Sequence, residues 1–290
     1  MQLMVCDIKK LTLSSSLMYI LVMCVLISTD GSLAPYDSIS SVLAFPTDQQ
    51  TVVQSIWSLS SSSDSVGRVI SDFAGNAFFP QTTQNKIARL EPTSNIVTEW
   101  EISNNSSSNA APTGIAFDST TGSVYFTETG TEKIGRLDPA TNIVTEWGTP
   151  NRTKNMTLGD IIVEPASGNV YFINQNDYGI TKLEPATNTF TEWTLPVSSS
   201  NISDIISGFD SIYFTETGTD KIGRLVPTTN MVTEWEISSN SSSNAAPTGI
   251  AFDSTTGSVY FTETGTEKIG RLDPATNIVT EWGTPNRTKN

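Results

Sequence analysis

Residues 112–147 read PTGIAFDSTTGSVYFTETGTEKIGRLDPATNIVTEW, and the fold is decided in this stretch. Pro112 to Asp118 reads as a first strand. Ser119-Thr-Thr-Gly122 reads as a turn, with glycine where a positive φ is needed. Ser123 to Glu128 is a second strand rich in aromatic and β-branched residues. Thr129-Gly-Thr-Glu132 turns the chain into a third, Lys133 to Leu137. Asp138-Pro-Ala-Thr-Asn142 then places Asp and Pro where a type I turn favours them. Asn142 to Trp147 is the fourth. Four short strands in about 35 residues, then a Ser/Asn-rich link of about ten, predict one β-propeller blade.

The same phrase recurs outward in both directions. All six tryptophans, Trp57, Trp100, Trp147, Trp193, Trp235 and Trp282, close a repeat, at separations of 43, 47, 46, 42 and 47 residues. A period of about 45 marks a repeat architecture. The aromatic pair of the second strand returns as Phe78-Phe79, Tyr171-Phe172, Tyr213-Phe214 and Tyr260-Phe261. The expected fold is therefore all-β, a β-propeller over residues 31–290 with five complete four-stranded blades. Ser41 to Pro46 and Thr51 to Trp57 supply the third and fourth strands of a half blade, and no matching first and second strands follow Trp282. An incomplete ring with unpaired strand edges is the expectation. Residues 236–290 reproduce residues 101–155 with a single change, Ser239 for Asn104, so one blade is a near copy of another three positions earlier.

Residues 1–30 are of a different kind. Lys9-Lys10 precede the apolar run Leu17 to Ile27, and the polar Ser28-Thr-Asp-Gly31 follows. This reads as a secretory signal peptide or an uncleaved N-terminal anchor, the only route to a membrane. Both cysteines, Cys6 and Cys24, fall inside it, so a mature chain would carry neither a disulfide framework nor a thiolate metal site. Asn-x-Ser/Thr acceptors stand at Asn104, Asn105, Asn151, Asn155, Asn201, Asn240 and Asn286, all between repeats, and fit a secreted or cell-surface protein. The net charge of −14 repels phosphate backbones and argues against a nucleic-acid partner.

Three repeated positions are candidate sites. Glu128, Glu216 and Glu263 end second strands. They are read either as a carboxylate ring for Mg²⁺ or Ca²⁺ near one rim, or as solvated turn residues. Arg89, Arg136, Lys182, Arg224 and Arg271 share a third-strand position, and Glu99, Glu146, Glu192, Glu234 and Glu281 a fourth-strand one. Their recurrence in every blade favours cross-hairpin ion pairs over anion ligands. The tryptophans are expected to pack between blades, with sugar stacking the alternative.

The phrases Val-Tyr-Phe-Thr-Glu-Thr-Gly (124–130), Lys-Ile-Gly-Arg-Leu (133–137) and Thr-Glu-Trp (145–147) resemble those of the virginiamycin B lyase (streptogramin lyase) family, over roughly residues 41–290. The resemblance implies a seven-bladed propeller and a magnesium-assisted lyase that opens the ester-linked ring of type B streptogramins by elimination. It also implies a histidine base in a Glu-Pro-His-Gly phrase opening a first strand. Here the matching phrases are Ala111-Pro-Thr-Gly114 and Ala246-Pro-Thr-Gly249, and the chain contains no histidine. Proton abstraction next to a carbonyl needs a base tuned toward neutral pH, and histidine has that pKa unperturbed. The expected function is thus an exported binding or cell-surface interaction module for a small molecule, glycan or protein, without lyase activity. The alternative is a metal-dependent carbon–oxygen lyase using a carboxylate base.

Overall fold

The computed structural model describes residues 65–102, 109–150, 157–195, 200–237 and 244–283 in full, together with three strands at Gln2–Lys10, Ile20–Ser28 and Gln54–Ser58. Apart from a single 3-10 turn at Thr82–Gln84, every regular element described is a strand.

Five four-stranded antiparallel sheets follow one another along the chain, each with its strands in sequence order. Blade 1 comprises Ile70–Ser71, Ala77–Gln81, Lys86–Glu91 and Ile96–Glu101. Blade 2, the stretch quoted above, comprises Pro112–Phe117, Val124–Glu128, Lys133–Asp138 and Ile143–Gly148. Blade 3 is Leu158–Val163, Val170–Asn174, Gly179–Glu184 and Thr189–Thr194. Blade 4 is Ile202–Gly208, Ser211–Glu216, Lys221–Val226 and Met231–Glu236. Blade 5 is Pro247–Phe252, Val259–Glu263, Lys268–Asp273 and Ile278–Gly283. Consecutive blades meet through their first strands, so these form the inner wall of the propeller.

The two-residue period of a strand gives each blade two working faces. In blade 2, Tyr125, Ile134 and Trp147 point toward blade 3 and pack on Ile161, Val170, Phe172 and Leu183. Ile115, Val124, Phe126 and Leu137 point the other way, onto Phe78, Ile87 and Trp100 of blade 1. Both members of the Tyr-Phe pair are buried because the sheet is sandwiched between its neighbours. A close approach fixes the glycine of the third strand. A Cβ built on Gly135 would stand 2.1 Å from the Phe126 ring, which lies flat over that backbone.

The tryptophans add a polar tie to this packing. The indole N–H of Trp100 donates to Asn142 Oδ1 of the next blade at 2.6 Å, that of Trp193 to Asn230 at 2.9 Å, and that of Trp235 to Asn277 at 2.8 Å. Each acceptor is the left-handed asparagine (φ 56–58°) ending the turn between third and fourth strands. Asparagine tolerates that conformation better than most residues, which accounts for its recurrence there.

Blade 5 breaks the pattern of burial. Its face toward blade 4 is packed, with Val259, Phe261 and Leu272 buried. Its other face shows Tyr260 at 38%, Ile269 at 45% and Trp282 at 48% exposure. The expected half blade is altered in one respect. Gln54–Ser58 is a strand, but its ladder partner is Gln2–Lys10, which also pairs with Ile20–Ser28. Ser41 to Pro46 lies outside the described residues.

Candidate functional site

The first strands of blades 2–5 carry, at the position where the resemblance would put a histidine, Thr113, Gly159, Ser203 and Thr248. Each of these strands has a register shift there, between Pro112 and Ile115, Leu158 and Ile161, Ile202 and Ile205, and Pro247 and Ile250. Such bulges re-aim side chains at the rim of a sheet. The next residue in each strand is Gly114, Asp160, Asp204 or Gly249.

Arg68, just upstream of blade 1, reaches two of these. Its guanidinium pairs with Asp160 and donates to Asp204 Oδ1 at 3.2 Å, so it joins the inner strands of blades 3 and 4. Both carboxylates are also held by backbone. Asp160 Oδ1 accepts from Ile161 N at 2.9 Å, Asp204 Oδ1 from Ile205 N at 2.9 Å, and Asp204 Oδ2 from Ile250 N of blade 5 at 3.1 Å. The carboxylates are largely covered while Arg68 stays about half exposed. Both contacts run through one guanidinium nitrogen of Arg68, while the hydroxyls of Thr113 and Thr248 are each within 3.1 Å of the second-strand Thr127 and Thr262 hydroxyls. The inner wall at this level thus presents a half-exposed arginine flanked by two carboxylates, and it contains no histidine.

A buried threonine row backs this wall. Thr127 Oγ1 accepts from Gly114 N at 2.9 Å and donates to Gly159 O of blade 3 at 3.1 Å. Thr215 Oγ1 accepts from Asp204 N and donates to Thr248 O of blade 5, both at 3.0 Å. Each hydroxyl therefore satisfies an inner strand of its own blade and one of the next.

The glutamates proposed as a rim of metal ligands are placed differently from either reading of the sequence. Glu128, Glu216 and Glu263 are buried, so they are not solvated turn residues. Each lies in its own blade, on the face toward the preceding one, and accepts a hydrogen bond from its own turn's Thr131, Thr219 or Thr266. Burial is the main cause that raises all three carboxyls above the usual range, Glu128 to about 7. Among the described residues no three His, Cys, Asp or Glu side chains gather, so the three glutamates do not converge as a shared carboxylate ring.

The cross-hairpin ion pairs exist, but with a different cation. Register places Arg136 opposite Tyr125 and Thr145, whereas Glu146 is opposite Gly135, on the other face. Glu146 instead meets Lys133 at 2.8 Å, and the pattern repeats as Lys86–Glu99, Lys221–Glu234 and Lys268–Glu281. The arginine position stacks over tryptophan, Arg89 on Trp100 at 5.4 Å and Arg136 on Trp147 at 6.0 Å. Of the seven glycan acceptors only Asn201 falls among the described residues, where it is exposed.

Arg68, Asp160 and Asp204 went unnoticed in the sequence. The available signal was a break in symmetry: Asp160 and Asp204 replace the glycine that the two near-identical blades keep as Gly114 and Gly249.

Comparison with known proteins agrees with this architecture. The family profile described as the Virginiamycin B lyase family matches residues 74–290. A virginiamycin B lyase from Staphylococcus aureus superposes with a TM-score of 0.70 at 25% identity, over 81% of this chain and 75% of that one. A catalytically inactive histidine-to-alanine variant of virginiamycin B lyase from Staphylococcus aureus, determined with quinupristin, gives 0.69 at 25% identity, over 83% and 77%. A streptogramin B lyase gives 0.68 at 29% identity, over 79% and 72%. A chain of a nidogen–laminin complex, at 12% identity and TM-score 0.56, shares the fold alone. No curated protein matches the chain.

Proposed function

The chain belongs to the virginiamycin B lyase family, and we propose that it serves as an exported or cell-surface binding module that has kept the family's scaffold without its elimination chemistry. The carrying observation is the inner wall. Threonine, glycine and serine occupy the position of the base in blades 2–5, and the whole chain has no histidine to replace it. The inactive relative supports the reading from outside, since replacing one histidine stopped that enzyme and its structure was still obtained with quinupristin. Binding and turnover are thus separable on this scaffold. The ligand surface is the one built by Arg68, Asp160 and Asp204 with Thr113, Ser203 and Thr248, which suits a small molecule, glycan or peptide rich in amides and hydroxyls. Export rests on the basic and apolar character of residues 9–27 and on the Asn-x-Ser/Thr acceptors.

One observation favours the second reading, a lyase with a carboxylate base: Glu128 has a carboxyl raised to about 7. Its burial behind Thr131 keeps it from a substrate carbon, and this weighs the balance toward binding. Incubation of the purified chain with quinupristin and Mg²⁺, followed by mass spectrometry, decides the question. The expected result is intact cyclic quinupristin after prolonged incubation. A linear product that disappears in Glu128→Gln would establish the lyase instead.

A further inference from the structure

The strongest unexplained feature of the molecule is a set of carboxyl pairs between blades. In blade 2, Glu128, Lys133 and Glu146 share one face, and the single lysine bonds Glu146 at 2.8 Å. Glu128 is 0% exposed; Thr131 serves one of its oxygens, and Oε1 has no hydrogen-bond partner. Blade 4 repeats the arrangement with Glu216, Lys221, Glu234 and Thr219, the Ser200 hydroxyl also facing Glu216. There Oε1 of Glu216 and Oε1 of Glu234 are both buried and unpartnered. Blade 5 repeats it with Glu263, Lys268, Glu281 and Thr266. The lysine and its glutamate partner are partly exposed while the second carboxyl is buried, so ionising both carboxyls would leave a buried charge without compensation, which is costly.

Blade 1 shows how the chain resolves the same geometry with a neutral group. Gln81 stands where Glu128 stands, and its Nε2 donates to Glu99 Oε1 at 2.9 Å while Lys86 holds Glu99 Oε2 at 3.2 Å. A glutamic acid carrying its proton is the closest analogue of that amide: one oxygen donates, the other accepts.

We propose that Glu128, Glu216 and Glu263 each retain a proton in the folded propeller above the pH at which a free glutamate ionises and donate it to Glu146, Glu234 and Glu281, so that three blade interfaces form a pH-sensitive device. The proton makes each two-carboxyl, one-lysine set neutral and supplies the donor that the orphaned oxygens lack. In the unfolded chain the same glutamates ionise at the ordinary value of about 4.5. The folded state therefore binds more protons between that pH and about 7, the value for Glu128. Stability from these groups is full below the unfolded value and is lost as pH rises through the folded one.

Thermal unfolding of the full chain between pH 5 and pH 8 tests this, alongside the triple variant Glu128→Gln, Glu216→Gln, Glu263→Gln. The native chain is expected to lose on the order of several degrees of Tm across that interval. The triple variant, in which every blade of this type carries the blade 1 chemistry, should lose much less and melt higher at pH 8. Infrared spectra of the native chain at pH 6 should show a protonated-carboxyl band that the variant lacks. Parallel pH profiles for the two proteins, or no such band in the native chain, would overturn the proposal. The band is read on the native protein alone, so it decides the matter even where the variant does not fold.

Discussion

Ile134→Ala is expected to destabilise the propeller by about 2–5 kcal/mol, while Ile269→Ala costs roughly 1 kcal/mol or less. Both isoleucines sit in the same phrase, because residues 236–290 repeat residues 101–155 apart from Ser239. Their surroundings differ. Ile134 is fully enclosed between blades 2 and 3, against Val163, Phe172 and Leu183, whereas Ile269 is 45% exposed on the open face of blade 5. Truncation at 134 loses transfer energy and leaves a cavity lined by side chains held from both sheets; at 269 water and neighbouring side chains fill the space. Urea midpoints of the two variants, converted with a common m-value, measure the difference. Equal losses would mean that the two faces are equally covered in solution.

Thr127→Val against Thr262→Val makes the same comparison for hydrogen bonding. Valine keeps the shape and removes the hydroxyl. At 127 this strands two inner-wall groups, the N–H of Gly114 and the carbonyl of Gly159, at an expected cost of about 2–5 kcal/mol. Thr262 serves Gly249 N within its own blade at 3.0 Å, at an exposed position, so water takes over and the loss falls to about 1 kcal/mol or less. Denaturation midpoints read both. A loss at 262 as large as at 127 would show that the hydroxyl matters through its own blade alone and that the bond to blade 3 contributes nothing.

These pairs show why some of the molecule was legible in the sequence and some was not. The blade phrase carried its own evidence. Alternation around Tyr125-Phe126 and the left-handed asparagine at Asn142 are local consequences of strand geometry that all five blades follow, and the glycine under Phe126 recurs in blades 2, 4 and 5. The expected packing of tryptophan between blades held for Trp100, Trp147, Trp193 and Trp235, while Trp282 lies on the exposed face of blade 5. The ion pairs were assigned to the wrong cation because repetition alone does not give register. Arg136 and Lys133 are both basic, recurrent and near Glu146, and only the one-to-one ladder of Gly135 with Glu146 selects the lysine. The glutamates could be read as solvated or as one ring of ligands, and the structure instead buries each in its own blade, because burial on a blade face is produced by the sheet that covers it.

Sequence by itself determined the repeating unit, the two faces of each strand, the position of every full blade and the absence of a histidine base, since strand periodicity, turn chemistry and composition are properties of the chain read locally. Tertiary structure decided what each repeated residue does. Identical phrases in blades 2 and 5 put Tyr125 at 3% and Tyr260 at 38% exposure, and Arg68 finds Asp160 and Asp204 from far away in the chain. The physical reason is common to both: exposure, charge pairing and proton affinity depend on the atoms that a distant segment brings alongside, and a repeat specifies its own geometry without specifying its neighbour.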